Sequence, residues 1–142
     1  ILADPRNVRM KEIINSKIKF REDYRPFAPV ILEHRANKYF INCIYSPYMT
    51  MTFIATTDAI LNAPAIVHED KTARVQTVNK YQNENLYKII ENFEKITGIP
   101  ILLNTSLNIN KDTMARTPED AIFTFENSDL DYLVLENFII KK

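Results

Sequence analysis

The sequence predicts an α/β domain of the α+β kind, a mixed sheet with helices packed on it. Three observations predict it. Helical and strand-like stretches alternate towards the C-terminus, where NENLYKIIENFEKITG runs into IPILLNTSL and TPEDAIFTF into DYLVLENFII. Aromatic and β-branched residues crowd the middle of the chain without a helical period. Helix-boundary signals stand in place: Gly98 then Pro100 end one apolar stripe, and Thr117-Pro118 start the next. Such alternation buries one face of a sheet under helices.

The elements follow in order. Asp4 before Pro5 reads as an N-cap and first helical residue, and Met10, Ile13, Ile14 and Ile18 recur at helical spacing, which predicts a helix from there to about Ile18. Pro26 and Pro29 forbid its continuation, and FAPVILEH reads as a buried strand. NKYFINCIYSPYMTMTFIATT predicts a strand after a loop around Ser46-Pro47. APAIVHED and TARVQTV predict two short strands about a polar turn at Glu69–Lys71. In the long helix that follows, Leu86, Ile89, Ile90, Phe93 and Ile96 are expected on one face, with Asn83 or Asn85 as the cap and Gly98 as the left-handed terminator. The continuous apolar run IPILLNTSL reads as a fully buried strand. Thr117, Pro118 and Asp120 predict a capped helix start, and DYLVLENFII one or two closing strands.

At 142 residues the chain is one domain's worth, residues 1–142, enough to bury roughly 68–70% of its unfolded surface. Its 18 basic and 18 acidic residues balance, which argues against a general nucleic-acid surface, because such binding rests on an excess of cations. No apolar run approaches the ~18 residues of a membrane span. Cys43 is the single cysteine, so no internal disulfide forms and a cytoplasmic location is the default expectation. The opening ILADPR carries no initiating Met and reads as the interior of a longer polypeptide. One glycine in the whole chain excludes a Gly-rich phosphate loop.

Three places can carry chemistry. IKFREDYRPFAPVI sets Lys19, Arg21 and Arg25 within seven residues. Either they complement the negative end of a helix, or Lys19 and Arg25 form a wall of an anion site, with Arg making forked hydrogen bonds and Lys a point charge. In TARVQTV, Arg74 and Gln76 share one strand face; if that strand is central, the arginine needs a partner. Asn104, Thr105 and Ser106 follow the apolar strand, where ligands collect in open sheets, though a polar turn with local hydrogen bonds explains them equally well. His34 and His68 lack companions at metal-ligand spacing, so no protein-bound metal is expected. Cys43, in an apolar and aromatic run, reads as a buried inert thiol, and Ser106 has no evident base, so no hydrolase triad is read.

The blocks ILADPR, IKFREDYRPFAPVILEH, SPYM, HEDKTARVQTV, TGIPILLNTSLNI and TPEDAIFTF, taken together, resemble the C-terminal domain of the NodU/CmcH-type carbamoyltransferases, in the family's order and nearly end to end. The resemblance implies a YrdC-like twisted mixed sheet. It also implies a domain that takes ATP and carbamoyl phosphate to carbamoyl-adenylate, with Mg²⁺ accompanying the nucleotide. A preceding transfer domain of the same polypeptide would then carry the carbamoyl group to a hydroxyl of a small-molecule acceptor. Carried over by motif, Lys19 and Arg25 would bind phosphate and carbamoyl phosphate oxygens and serve the reaction, Arg74 would hold the nucleotide phosphates, and Asn104 and Ser106 would hydrogen-bond the nucleotide. Two positions depart from the pattern: Lys71 stands where the family usually has Gly before Thr-Ala-Arg, and Lys111 where a Gly often follows the LLNTS block. The competing readings are a non-catalytic nucleotide- or RNA-binding module, and a structural domain that docks on the transfer domain.

Overall fold

The computed structural model describes residues 1–22, 24–109 and 112–142. It is a mixed α/β fold, as the alternation of elements predicts. The chain divides into two compact units, one made of Ile1–Lys11 and Pro26–Thr105, the other of Glu12–Arg25 and Ser106–Lys142.

The first unit is built on a four-stranded sheet of order β1-β6-β2-β5, from β1 (Leu2–Ala3), β2 (Ala28–Leu32), β5 (Gln76–Val78) and β6 (Ile101–Asn104). β2 runs parallel to β5 and antiparallel to β6, and β6 is antiparallel to β1, so the sheet is mixed. All five residues of β2 are buried, which is why FAPVILEH shows no polar alternation. The register places Ala28, Val30 and Leu32 on one face with Leu102, Asn104, Gln76 and Val78. That face receives α4 (Glu84–Thr97), whose Ile90 is fully buried among Val30, Leu32, Val78 and Leu102. Truncating Ile90 to alanine there would cost about 2–5 kcal/mol. Asn83 caps α4 by accepting the Leu86 N–H at 3.0 Å. Gly98 ends it at φ +77°, a backbone conformation that costs glycine nothing.

A separate two-stranded sheet pairs β3 (Thr52–Ile54) with β4 (Thr72–Arg74). Two short helices, α2 (Ala36–Tyr39) and α3 (Thr57–Asn62), and 3-10 turns at Glu33–Arg35 and Pro64–Ile66 belong to the same unit. No helix among the described residues is long and apolar enough to cross a membrane.

The second unit holds α5 (Pro118–Glu126) and the hairpin β7 (Tyr132–Leu135) and β8 (Phe138–Lys141). Thr117 accepts the Asp120 N–H at 3.2 Å while the Asp120 carboxylate accepts from Thr117 N, the capping box expected from the sequence. Ala121, Phe125 and Leu133 form its apolar cluster.

Several expectations are corrected. The first helix, α1 (Met10–Ile14), starts six residues after Asp4 and is continued by a π-helical turn, Asn15–Lys19. Asp4 does not cap it, because its carboxylate is captured by the backbone and guanidinium of Arg6, 2.6–3.0 Å away. The Pro5 carbonyl accepts Ala65 N–H instead. APAIV forms the 3-10 turn rather than a strand, since Pro64 supplies a helical φ at its first position. TARVQTV is interrupted at Val75 and contributes to two sheets. On α4, Ile89 and Ile96 are 49% and 84% exposed, so the apolar face is narrower than the sequence stripe. β1, α2 and α3 went unpredicted.

Candidate functional site

The candidate residues fall into two sets. In the second unit, the π-helical turn ends where the Phe20 N–H reaches back to the Asn15 carbonyl, with Phe20 at φ 46°. This turn carries Lys19 inward, leaving it 2% exposed. Its ammonium donates to the Ser106 carbonyl (2.6 Å) and hydroxyl (3.1 Å), and to the Asn108 side-chain oxygen (2.7 Å) and carbonyl (3.1 Å). These four acceptors serve an ammonium with three hydrogens, and none is a carboxylate. Burial pushes Lys19 down to about 8, with the Arg21 charge adding to the effect.

Ser106 in turn donates its hydroxyl to Asn108 Oδ1 at 2.6 Å, and the Asn108 amide donates to the Asp112 carbonyl at 2.7 Å. The local polar turn foreseen for NTSLN therefore exists, closed around a lysine from far along the chain. Asn15, fully buried, orders the cationic stretch: its side chain donates to the Arg25 carbonyl (3.2 Å) and accepts from Arg21 Nε (2.7 Å). Burial lowers the Arg21 pKa, the Arg25 charge adds to this, and Glu22 opposes it. Arg25 itself is exposed, with its guanidinium 3.8 Å from Glu22. Lys19, Arg21 and Arg25 thus form a cationic run in which each charge feels the next. Neither Asn15 nor Asn108 was singled out from sequence. The one signal for Asn15 was a polar residue beside the apolar positions Ile14 and Ile18.

In the first unit, Asn104 ends β6 and Gln76 begins β5, on the α4 face with β2 between them, Asn104 opposite Ala28 and Gln76 opposite Val30. The two amides meet across β2, Asn104 Nδ2 donating to Gln76 Oε1 at 2.9 Å. The carboxyl end of β6 lies beside the amino ends of β2 and β5, because the sheet is mixed. Arg74 is exposed at the end of β4. It is not on a central strand, so the cost foreseen for leaving it unpaired does not arise. It has no ion-pair partner among the described residues.

The turn before it carries the Lys71 departure. Lys71 N–H bonds the His68 carbonyl (2.9 Å) and His68 N–H the Thr72 carbonyl (2.8 Å), with Lys71 at φ 62°. The lysine adopts the left-handed conformation a glycine would take at the residue closing such a turn. The Asp70 carboxylate braces the turn from Thr72 N–H and hydroxyl at 3.0 and 2.7 Å. Lys111 lies outside the described residues. Cys43 is buried and its thiol is pushed up to about 11 by burial, as an inert core thiol should be.

The family model described as "Carbamoyltransferase C-terminus" matches residues 1–142. The chain is 42% identical to Nodulation protein NolNO of Sinorhizobium fredii over 145 residues, covering all of this chain and 21% of that protein. It is 42% identical to Nodulation protein NolO of Bradyrhizobium diazoefficiens over 146 residues, covering all of this chain and 26% of that protein. With Nodulation protein U of Sinorhizobium fredii it shares 40% identity over 108 residues, 76% of this chain and 19% of that protein. The chain thus spans about a fifth to a quarter of the length of these relatives. By a match along its whole length, this chain belongs to the carbamoyltransferase C-terminus family.

Proposed function

We propose that this chain binds ATP and carbamoyl phosphate and forms carbamoyl-adenylate, as the C-terminal part of a cytoplasmic carbamoyltransferase. A transfer domain elsewhere in the polypeptide would then pass the carbamoyl group to an acceptor hydroxyl. The observation that carries the reading is the buried Lys19 ammonium, held by neutral oxygens and flanked by Arg21 and Arg25. A desolvated cation without a carboxylate partner among the described residues is a standing attraction for an anion. Its hydrogens are engaged by the chain, so an anionic oxygen at Lys19 replaces one of the four acceptors. Exposed Arg25, beside Glu22, and exposed Arg74, with no ion-pair partner among the described residues, offer guanidinium donors to phosphate oxygens.

In this reading Lys19 and Arg25 meet the carbamoyl phosphate oxygens, Arg74 the nucleotide phosphates, and Asn104 and Ser106 the nucleotide. The donor set fits phosphate ligands: cations and amides rather than carboxylates. Mg²⁺ bound with ATP supplies charge neutralisation for the departing pyrophosphate. For the step to balance, water first cleaves carbamoyl phosphate to inorganic phosphate and carbamate; the chain's own residues would then align a carbamate oxygen with the α-phosphorus and hold the departing pyrophosphate by charge, which needs no protein nucleophile.

The test is calorimetric titration of MgATP into the wild type and Arg25→Ala. Binding that weakens about tenfold or more in the variant supports the reading, since a charge-assisted hydrogen bond is worth ~1.5–3 kcal/mol. Equal affinities remove Arg25 from the site. Pyrophosphate release on adding carbamoyl phosphate separates an adenylating domain from a module that only binds.

A further inference from the structure

A cavity lies past the carboxyl ends of the parallel strands β2 and β5, and the site described above makes no use of it. Leu32 pairs with Val78, so the next residues, Glu33 and Asn79, leave the two strands side by side. With His34, Asn37, Cys43 and Tyr45 they line about 300 Å³, the small end of ligand-site volumes. Asn104 pairs with Ala28 at the other end of β2, and Arg74 precedes β5, so the cavity stands at the end of the sheet away from both.

Its charge is opposite to theirs. Glu33 is the only carboxylate in the lining, and no lysine or arginine joins it. The carboxylate is held in place: Glu33 Oε2 accepts from Asn79 Nδ2 at 2.8 Å. Asn79 cannot turn over, because its Oδ1 accepts the Tyr81 N–H (3.0 Å) and the Gln82 N–H (3.1 Å), and a flipped amide would set donors against donors. Glu33 Oε1 has no partner among the described residues, and Glu33 makes no ion pair there. Asn37, four residues on, faces the same cavity, and its side chain makes no hydrogen bond among the described residues. Neither does the His34 ring, which is steadied by the Tyr87 ring at a centroid distance of 6.3 Å. Cys43 is buried and its thiol is pushed up to about 11 by burial, so the wall it forms carries no second negative charge at neutral pH. Tyr45 is fixed by the Gln82 amide, which donates to its hydroxyl at 2.7 Å.

One fixed carboxylate oxygen, an amide oxygen and an imidazole nitrogen thus converge beside an aromatic ring. Three acceptors match the three hydrogens of an ammonium, and an aromatic face attracts a cation. An anion would meet only the repulsion of Glu33. We infer that this cavity binds a small organic cation, an alkylammonium group held by Glu33 Oε1, the Asn37 side-chain oxygen and a His34 ring nitrogen against Tyr45. The inference does not depend on the nucleotide reading, whose Arg74 and Asn104 belong to the other end of the sheet.

The test titrates n-butylammonium, n-butanol and inorganic phosphate into the intact chain, Glu33→Gln and Asn37→Asp. Binding is read from the NMR resonances of Asn37, Tyr45 and Asn79. The expected result is that n-butylammonium shifts all three residues and that phosphate shifts none. Its affinity should fall about tenfold or more in Glu33→Gln, which keeps an oxygen for Asn79 but loses the charge-assisted bond. Asn37→Asp, with a second carboxylate, should bind it several-fold more tightly. n-Butanol bound as well as n-butylammonium, or equal n-butylammonium affinity in wild type and Glu33→Gln, overturns the inference. So does an Asn37→Asp chain that binds no more tightly than wild type, or a set of resonances that n-butylammonium leaves unmoved. Each of these outcomes leaves the anion reading intact.

Discussion

The Lys19 ammonium lies 2.6 Å from the carbonyl oxygen of Ser106, a residue 87 positions further along the chain. With Asn108 it completes a cage of four neutral oxygens about one desolvated charge. The lysine holds the loop after β6 in shape, and the loop holds the lysine in place.

This cage has a pH signature. The Lys19 pKa falls from its ordinary 10.5 to about 8 in the folded chain. Between those values the unfolded chain binds more protons than the folded one, so stability rises with pH across that window. Below about 8 the full cost of burying the charge is present. Urea unfolding followed from pH 7 to 10.5 should show a rising midpoint in the wild type, and Lys19→Met should lack that component of the rise. An identical slope in the variant would mean that Lys19 titrates normally. Anion affinity should move the other way, weakening as pH passes 8.

Arg74→Ala should separate binding from folding. The side chain is exposed and has no ion-pair partner among the described residues, so the urea midpoint should stay put, as for most surface substitutions. MgATP affinity should fall about tenfold if the guanidinium meets phosphate. A variant that binds as well as the wild type would remove Arg74 from the site.

Lys71 holds φ 62° at a turn that glycine would close without a Cβ clash. Lys71→Gly should stabilise the chain by about 1 kcal/mol, the lower end of the left-handed penalty for an L-residue. Lys71→Val should destabilise it, because β-branching makes that conformation worse. Thermal unfolding of the three proteins would decide; a glycine variant that melts lower than wild type would show that the turn is not strained.

Cys43 should resist alkylation. With the thiol buried and raised to about 11, iodoacetamide at pH 8 should label the native chain far more slowly than the urea-unfolded chain. Comparable rates would place the sulfur at the surface.

Where local chemistry suffices, the sequence alone determined this protein. The Thr117–Asp120 capping box, the Asn83 and Gly98 ends of α4, and the buried strands β2 and β6 were legible, because each is set by side chains within a few residues or by an unbroken apolar run. The ordered blocks likewise determined the family, which needs no coordinates.

Tertiary structure decided the rest. Asp4 and Pro5 carry every local mark of a helix start, but Arg6 captures the carboxylate and Ala65 takes the proline carbonyl. Pro64–Ile66 falls in a segment read as a strand, and its proline starts a 3-10 turn there instead. Arg74 reads as needing a partner on a central strand until β4 is seen to end there, in a separate two-stranded sheet. The candidate sites are the strongest case. Lys19 meets Ser106, and Gln76 meets Asn104, across 87 and 28 residues of chain. Asn15 and Asn108 acquire roles only once a buried cation requires acceptors and the arginines beside it require positioning. Periodicity reports which face an element buries. It carries no information about which distant group arrives there, and at this site the distant group sets both the charge and the geometry.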